Sequence, residues 1–146
     1  MNCLTVHGNK IYSGSRDKTI YVWNIDTYEE IAILEGHRNS VDSIAVFGNK
    51  LFSGGADKTI RVWNTETYEQ IMTLRGHTSS VYCLLTLHEN KLVSGSVDNT
   101  IRIWNTETYE EIVTLEGHTN IVHCLTLHDN KLYSGSGDDT IRVWKI

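Results

Sequence analysis

The chain has 146 residues, 40% of them hydrophobic and 21% charged, which is the composition of a globular domain rather than of a disordered or fibrous segment. Its longest apolar runs, such as Ile31–Leu34, fall far short of the ~20 residues that span a bilayer, and Met1-Asn2-Cys3-Leu4-Thr5-Val6-His7 lacks the basic and apolar regions of a secretory signal. A net charge of −5, with 13 basic and 18 acidic residues spread along the chain, argues against nucleic acid and against anionic membrane surfaces as partners.

Four tryptophans, Trp23, Trp63, Trp104 and Trp144, stand 40, 41 and 40 residues apart in a chain without proline. A period near 40 points to stacked repeats. The segment Ser13–Trp23 returns as Ser53–Trp63, Ser94–Trp104 and Ser134–Trp144, and Gly-His pairs stand at Gly36-His37, Gly76-His77 and Gly117-His118. The first unit opens at Met1, in the place of Val41, Val81 and Val122, and carries no Gly-His pair. The second predicts four strands with short turns rich in Gly, Asn and Asp: Val41–Phe47, Lys50–Gly54, the β-branched and alternating Thr59–Trp63, and Glu69–Leu74. The third has one extra residue between His77 and Ser94, where Leu84-Leu85 lengthens the segment. The fourth stops two residues after Trp144 and lacks its fourth strand. The expectation is all-β, with 15 strands in sets of four, four, four and three, as a single array over residues 1–146.

Four copies of Ser-Gly-x-x-Asp-x-Thr-Ile-x-[Val/Ile]-Trp with three Gly-His pairs resemble the WD40 repeat family of β-propellers over the whole chain. The dipeptide that names the family is altered: Asn24, Asn64, Asn105 and Lys145 follow the tryptophans, and the short polar Asn is expected to keep the turn's hydrogen bonding. The resemblance implies that the outermost strand closes a blade before the Gly-His loop leads inward to the first strand of the next. It also implies a buried hydrogen-bond chain in each blade, made by His37, Ser53, Asp57 and Trp63, by His77, Ser94, Asp98 and Trp104, and by His118, Ser134, Asp138 and Trp144.

Histidine, serine and aspartate together invite a hydrolase reading. A catalytic triad occurs once, at a cleft with an oxyanion hole, whereas this set recurs in every complete unit. The expectation is therefore a framework and no enzyme. Cys3, Cys83 and Cys124 share one position on the innermost strand, where the second unit has Ser43, and are expected to be buried, unpaired and not metal-bound. Unpaired cysteines fit a reducing compartment, cytosol or nucleus. His7, His88 and His128 are expected at exposed first-hairpin turns. No phosphate-binding loop or other cofactor motif is present.

Near-identical units make their differences informative. Before each turn Asp stand Arg16, Ala56, Val97 and Gly137; at the second position of the first strand, Asn2, Asp42, Tyr82 and His123; two residues earlier, Ser40, Ser80 and Ile121. In similar propellers these places lie on the top face around the central channel and contact peptides and protein loops. Tyr82, His123, Ile121 and Val97 supply an aromatic and apolar patch flanked by Asp42 and Arg16, the mixture typical of interface anchors. A single arginine disfavours phosphopeptide recognition. Thr65-Glu66-Thr67-Tyr68-Glu69 and its copies read as a solvated acidic rim.

The resemblance thus implies a non-catalytic scaffold or adaptor for other proteins or peptides. Two alternatives stand beside it: a self-assembling unit, and the recognition part of a larger ubiquitin-ligase or kinase-targeting protein. Propellers of the family usually close with seven or eight blades. A four-blade arc would leave two apolar faces in water, on the order of 10 kcal/mol each as an upper figure at about 25 cal/mol per Å². Three arrangements answer this: a fragment of a longer array, a head-to-tail homodimer of eight blades, or a closed four-blade ring.

Overall fold

Short alternating runs of β-branched and aromatic residues, punctuated by Gly, Asn and Asp, form fifteen strands and no helix in the computed structural model, which describes all residues, Met1–Ile146. The first blade pairs β1 (Cys3–His7), β2 (Lys10–Gly14), β3 (Thr19–Asn24) and β4 (Glu30–Glu35) in chain order. The second pairs β5 (Val41–Phe47), β6 (Lys50–Gly55), β7 (Thr59–Asn64) and β8 (Gln70–Arg75). The third pairs β9 (Val81–Leu87), β10 (Lys91–Ser96), β11 (Ile101–Asn105) and β12 (Glu111–Leu115). The last has three strands, β13 (Val122–His128), β14 (Lys131–Ser136) and β15 (Ile141–Lys145). All pairings are antiparallel, and the expected sets of four, four, four and three are observed.

The extra residue of the third unit lies between His77 and Ser94 as expected, but in a turn and not at Leu84-Leu85. The strand β9 has the same seven residues as β5 and β13, and Leu87 pairs with Lys91 across a three-residue turn, His88–Asn90, where the second blade has only Gly48-Asn49. An insertion inside β9 would have moved every later side chain to the opposite face. The turn takes up the residue instead, through left-handed Glu89 and Asn90 (φ 63° and 57°). His88 is accordingly in the turn, whereas His7 and His128 end their strands opposite Lys10 and Lys131; all three are exposed.

The core lies between blades rather than within them. The innermost strands stack in sequence, β1 on β5, β5 on β9 and β9 on β13. Tyr12, Ile20 and Val22 of the first blade meet Val41, Leu51 and Trp63 of the second. Phe52, Ile60 and Val62 of the second meet Val81, Leu92 and Trp104 of the third, and Val93, Ile101 and Ile103 of the third meet Val122 and Leu132 of the last. In the inner blades adjacent strand residues are therefore both buried: Leu51 faces the preceding blade and Phe52 the following one. A sheet covered on both sides reads in sequence as a continuous apolar run.

The terminal blades do not meet. Tyr28 on the outer face of the first blade and Ile141 on the far face of the last are each 76% exposed, so the four blades form an open arc and not a closed four-blade ring. The same geometry corrects the expectation for the cysteines. Cys3 and Cys83 are half-buried against the following blade, but Cys124, with no blade after it, is exposed; all three are free thiols. Burial pushes the thiol pKa of Cys3 up to about 11 and that of Cys83 up to about 12, which keeps both in the unreactive protonated form at neutral pH.

Candidate protein-interaction site

Each Gly-His loop folds back onto the blade it enters. In the second blade His37 Nε2 lies 2.8 Å from Ser53 Oγ and His37 Nδ1 lies 2.9 Å from Asp57, while Trp63 Nε1–H donates to Ser53 Oγ at 2.9 Å. An indole N–H only donates, so the serine hydroxyl is free to donate to Nε2, and Nδ1–H donates to the carboxylate. The third blade repeats this with His77, Ser94, Asp98 and Trp104 at 2.7, 2.8 and 2.9 Å. In the last blade His118, Ser134, Asp138 and Trp144 do the same at 2.7, 2.8 and 2.8 Å. The first blade, without a Gly-His loop, retains only Trp23 to Ser13 at 3.0 Å, and its Asp17 instead accepts from the Thr19 and Tyr21 hydroxyls. Ser53 and Ser94 are fully buried under their tryptophans, closed to any substrate carbonyl.

Burial alone would raise the pKa of Asp57 and Asp98, but the bonds from His37 and His77, from Thr59 and Thr100, and from the backbone N–H groups of Arg38 and Thr78 outweigh it and hold both carboxyls well below the usual range. Asp138 is held low first by the Thr140 hydroxyl, against some desolvation, and then by His118. A carboxyl depressed in the fold and ordinary (about 3.9) in the unfolded chain stabilises above that unfolded value, and the contribution is lost as pH falls below it. The melting temperature is therefore expected to hold from pH 7 to about 4.5 and to drop steeply between pH 4 and 2. The drop should be shallower in Asp98→Asn.

The residues that differ between units gather at one end of the blades. The N–H of Ala56 donates to the carbonyl of Ser40, that of Val97 to Ser80 and that of Gly137 to Ile121, so the loop before each first strand and the turn before each Asp are tied side by side. Asp42, Tyr82 and His123 each fall on a β-bulge: Val41 and Ser43 pair with consecutive residues Gly55 and Gly54, and the third and last blades skip Tyr82 and His123 in the same way. A bulge twists the strand locally and re-aims its side chain. The first strands then present a row in which Asn2 Nδ2 donates to Asp42 at 3.0 Å and Tyr82 meets His123 edge to face at 5.3 Å. Arg16, Ser40, Asp42 and Tyr82 border a cleft of about 560 Å³ with Met1 and Asn2. Tyr82 and His123 are exposed; Val97 and Ile121 are half-buried, and of these four only Tyr82 lines the cleft. Sequence comparison of the units identified these positions but not the bulge, which has no residue signature of its own.

Two other repeated features were legible only in part. Asn24, Asn64 and Asn105 accept from the two N–H groups two and three residues on, at 2.8–3.0 Å, which shows how Asn replaces the family's Asp at this turn. The acidic residues beside them, Glu66 and Glu107, are exposed on the rim. Unforeseen was a lysine contact between blades. Lys10 Nζ donates to the Thr65 carbonyl at 2.9 Å and sits 4.9 Å over the Tyr68 ring, and Lys50 does the same to Thr106 (2.7 Å) and Tyr109 (5.0 Å). The signal was present as a lysine opening every second strand. No three His, Cys, Asp or Glu side chains are grouped to hold a metal ion.

The WD domain, G-beta repeat family matches residues 1–24, 28–64, 68–105 and 109–145. Among curated proteins, Kinesin-like protein KIF21B of Homo sapiens is 43% identical over 42 residues, 29% of this chain and 3% of that protein. Myosin heavy chain kinase C of Dictyostelium discoideum is 37% identical over 44 residues, 30% of this chain and 6% of that protein. The chain thus spans a small part of these relatives' length. Among solved structures, the RRP9 WD40 repeats superpose with a TM-score of 0.93 at 29% identity, over 99% of this chain and 48% of that one. The computationally designed Ika4 protein superposes with a TM-score of 0.91 at 34% identity, over 99% and 90%. WD40 propellers are generally non-catalytic and generally serve as protein-interaction scaffolds. With four matched repeats, four antiparallel blades and the polar chain repeated in three of them, the chain belongs to the WD40 repeat family.

Proposed function

We propose that this chain is a non-catalytic interaction scaffold whose top-face cleft takes an extended peptide or a protein loop. The observation that carries this reading is the row of bulged first-strand residues, which aims Asp42, Tyr82 and His123 out of an otherwise invariant framework beside Arg16. Tyrosine supplies contact area at low entropic cost, and Asp42 and Arg16 give polar register at its flank. With one arginine in the cleft and a net charge of −5, a neutral or basic segment is favoured over a phosphorylated one. A random peptide display library selected on the chain should yield binders that lose at least tenfold in affinity with Tyr82→Ala and with Asp42→Ala, two residues that line the cleft, while both variants keep the parent melting temperature. Binders indifferent to both substitutions would place the site elsewhere.

A second reading, recognition module of a larger enzyme or motor, is favoured by the match of a single repeat-length segment to a kinase and to a kinesin-like protein. The same cleft would then select the target, and the activity would belong to another part of the assembly.

A further inference from the structure

We propose that two copies of this chain close head to tail into one eight-blade ring, the last blade of each seated on the first blade of the other. The first two internal junctions use the same three contacts, and the third keeps all but the lysine's, Lys91 pairing with Glu89 instead. Apolar faces meet; a lysine opening the second strand reaches the carbonyl and tyrosine ring of the following blade; and a thiol or hydroxyl at the third position of the first strand reaches the following blade's Val carbonyl. The last of these is Cys3 to Val41, Ser43 to Val81 and Cys83 to Val122, at 3.8, 3.5 and 3.6 Å.

The two ends of the arc each hold one half of this junction. The outer face of the first blade is the receiving half: Met1, Leu4, Ile11, Trp23 and Tyr28 line a wholly apolar groove of about 220 Å³. They occupy the places of Val41, Ile44, Leu51, Trp63 and Tyr68, which are covered in the second blade. The far face of the last blade is the other half. Ile141 and Val143 are bare, Lys131 is exposed and Cys124 has no blade to reach. Beside Cys124, the space next to Gly135 that Val41, Val81 and Val122 fill at the equivalent glycines Gly14, Gly54 and Gly95 is empty on its outer side. In the ring, Met1 of the second copy fills that space and its carbonyl faces Cys124, while Lys131 reaches the Ile25 carbonyl and the ring of Tyr28.

The halves are different surfaces, so each fits its complement and not itself, and such a heterologous contact makes either a ring or an open fibre. Two copies supply eight blades, within the four to eight that propellers close with, whereas three supply twelve.

Sedimentation velocity of the whole chain at micromolar concentration tests this. The expected result is one species of twice the 16.6 kDa chain mass. Tyr28→Asp and Ile141→Asp, both at exposed positions, should each give a monomer with an unchanged strand-rich circular dichroism spectrum. An equimolar mixture of the two should regain a dimer, because one carries an intact last blade and the other an intact first blade. A monomer from the unaltered chain, in which case these faces await further repeats of a longer chain, overturns the proposal. So do open polymers, and so does a same-face dimer that Tyr28→Asp dissolves and Ile141→Asp leaves intact.

Discussion

Gly54→Ala should destabilise the chain by about 3 kcal/mol and lower its melting temperature by roughly 10 °C. A methyl group at this position would lie 2.7 Å from Val81 Cγ1 and 3.0 Å from its Cβ, and closer still to Ser43 Oγ. Neither neighbour has room to move: Val81 is fully buried in the junction of the second and third blades, and Ser43 is held by its bond to the Val81 carbonyl. The methyl must therefore push two blades apart along their innermost strands, where the apolar contact is continuous. Gly135→Ala is the internal comparison. On the uncovered face of the last blade it meets only Cys124 Sγ, at 2.7 Å, the end of a side chain that can swing away. Thermal denaturation of the two variants, at a concentration where the chain is monomeric, should separate them by several degrees. Equal, small losses would mean that the blades are not packed as tightly as Gly54 requires.

His77→Ala should cost about the same, roughly 3 kcal/mol at pH 7, for an electrostatic rather than a steric reason. The imidazole links Asp98 to Ser94 and packs edge-on to Trp104 at 6.3 Å. Its loss leaves Ser94 Oγ, fully buried, holding only its bonds to Trp104 and to the Arg102 carbonyl. It also leaves Asp98 to the hydroxyl and N–H of Thr100 and the N–H of Thr78. The carboxylate then loses its strongest partner in a site of low dielectric, and the loop that leads into the third blade loses its anchor. Chemical denaturation should show a lower midpoint with an unchanged slope. An unaltered midpoint would refute a structural role for the polar chain.

Much of this was legible in the chain because a repeat is read four times. Trp23, Trp63, Trp104 and Trp144 set the period, and the Thr-Ile-x-[Val/Ile]-Trp alternation marks a strand wherever it recurs, so blade number and strand order followed directly. Strand ends shifted by a residue: the strand expected at Thr59–Trp63 extends to Asn64, because Asn64 still pairs with Lys50 before its side chain turns the backbone. What composition could not carry was anything that depends on a neighbour. Cys124 stands in the same Val-x-Cys-Leu setting as Cys83 and differs in exposure because no blade packs on its face. The third unit's insertion is invisible as a position within near-identical leucines, and pleat alternation, not residue type, moves it to the turn. The bulges at Asp42, Tyr82 and His123 arise from pairing geometry. Arg61 and Arg102 close over the blade edge beside Gly36 and Gly76, with each Nε buried and without a partner, a detail that only packing reveals.

Framework and recognition separate most directly in one measurement: the affinity of a display-selected peptide for Ser94→Ala and for Tyr82→Ala, taken well below the lower of their melting temperatures. Ser94 repeats in every blade and is buried; Tyr82 has no copy and is exposed. The expected result is that Ser94→Ala binds within about twofold of the parent while Tyr82→Ala loses at least tenfold. Loss of binding in Ser94→Ala with full retention in Tyr82→Ala would contradict the assignment of the repeated residues to the framework and of the differing ones to the partner.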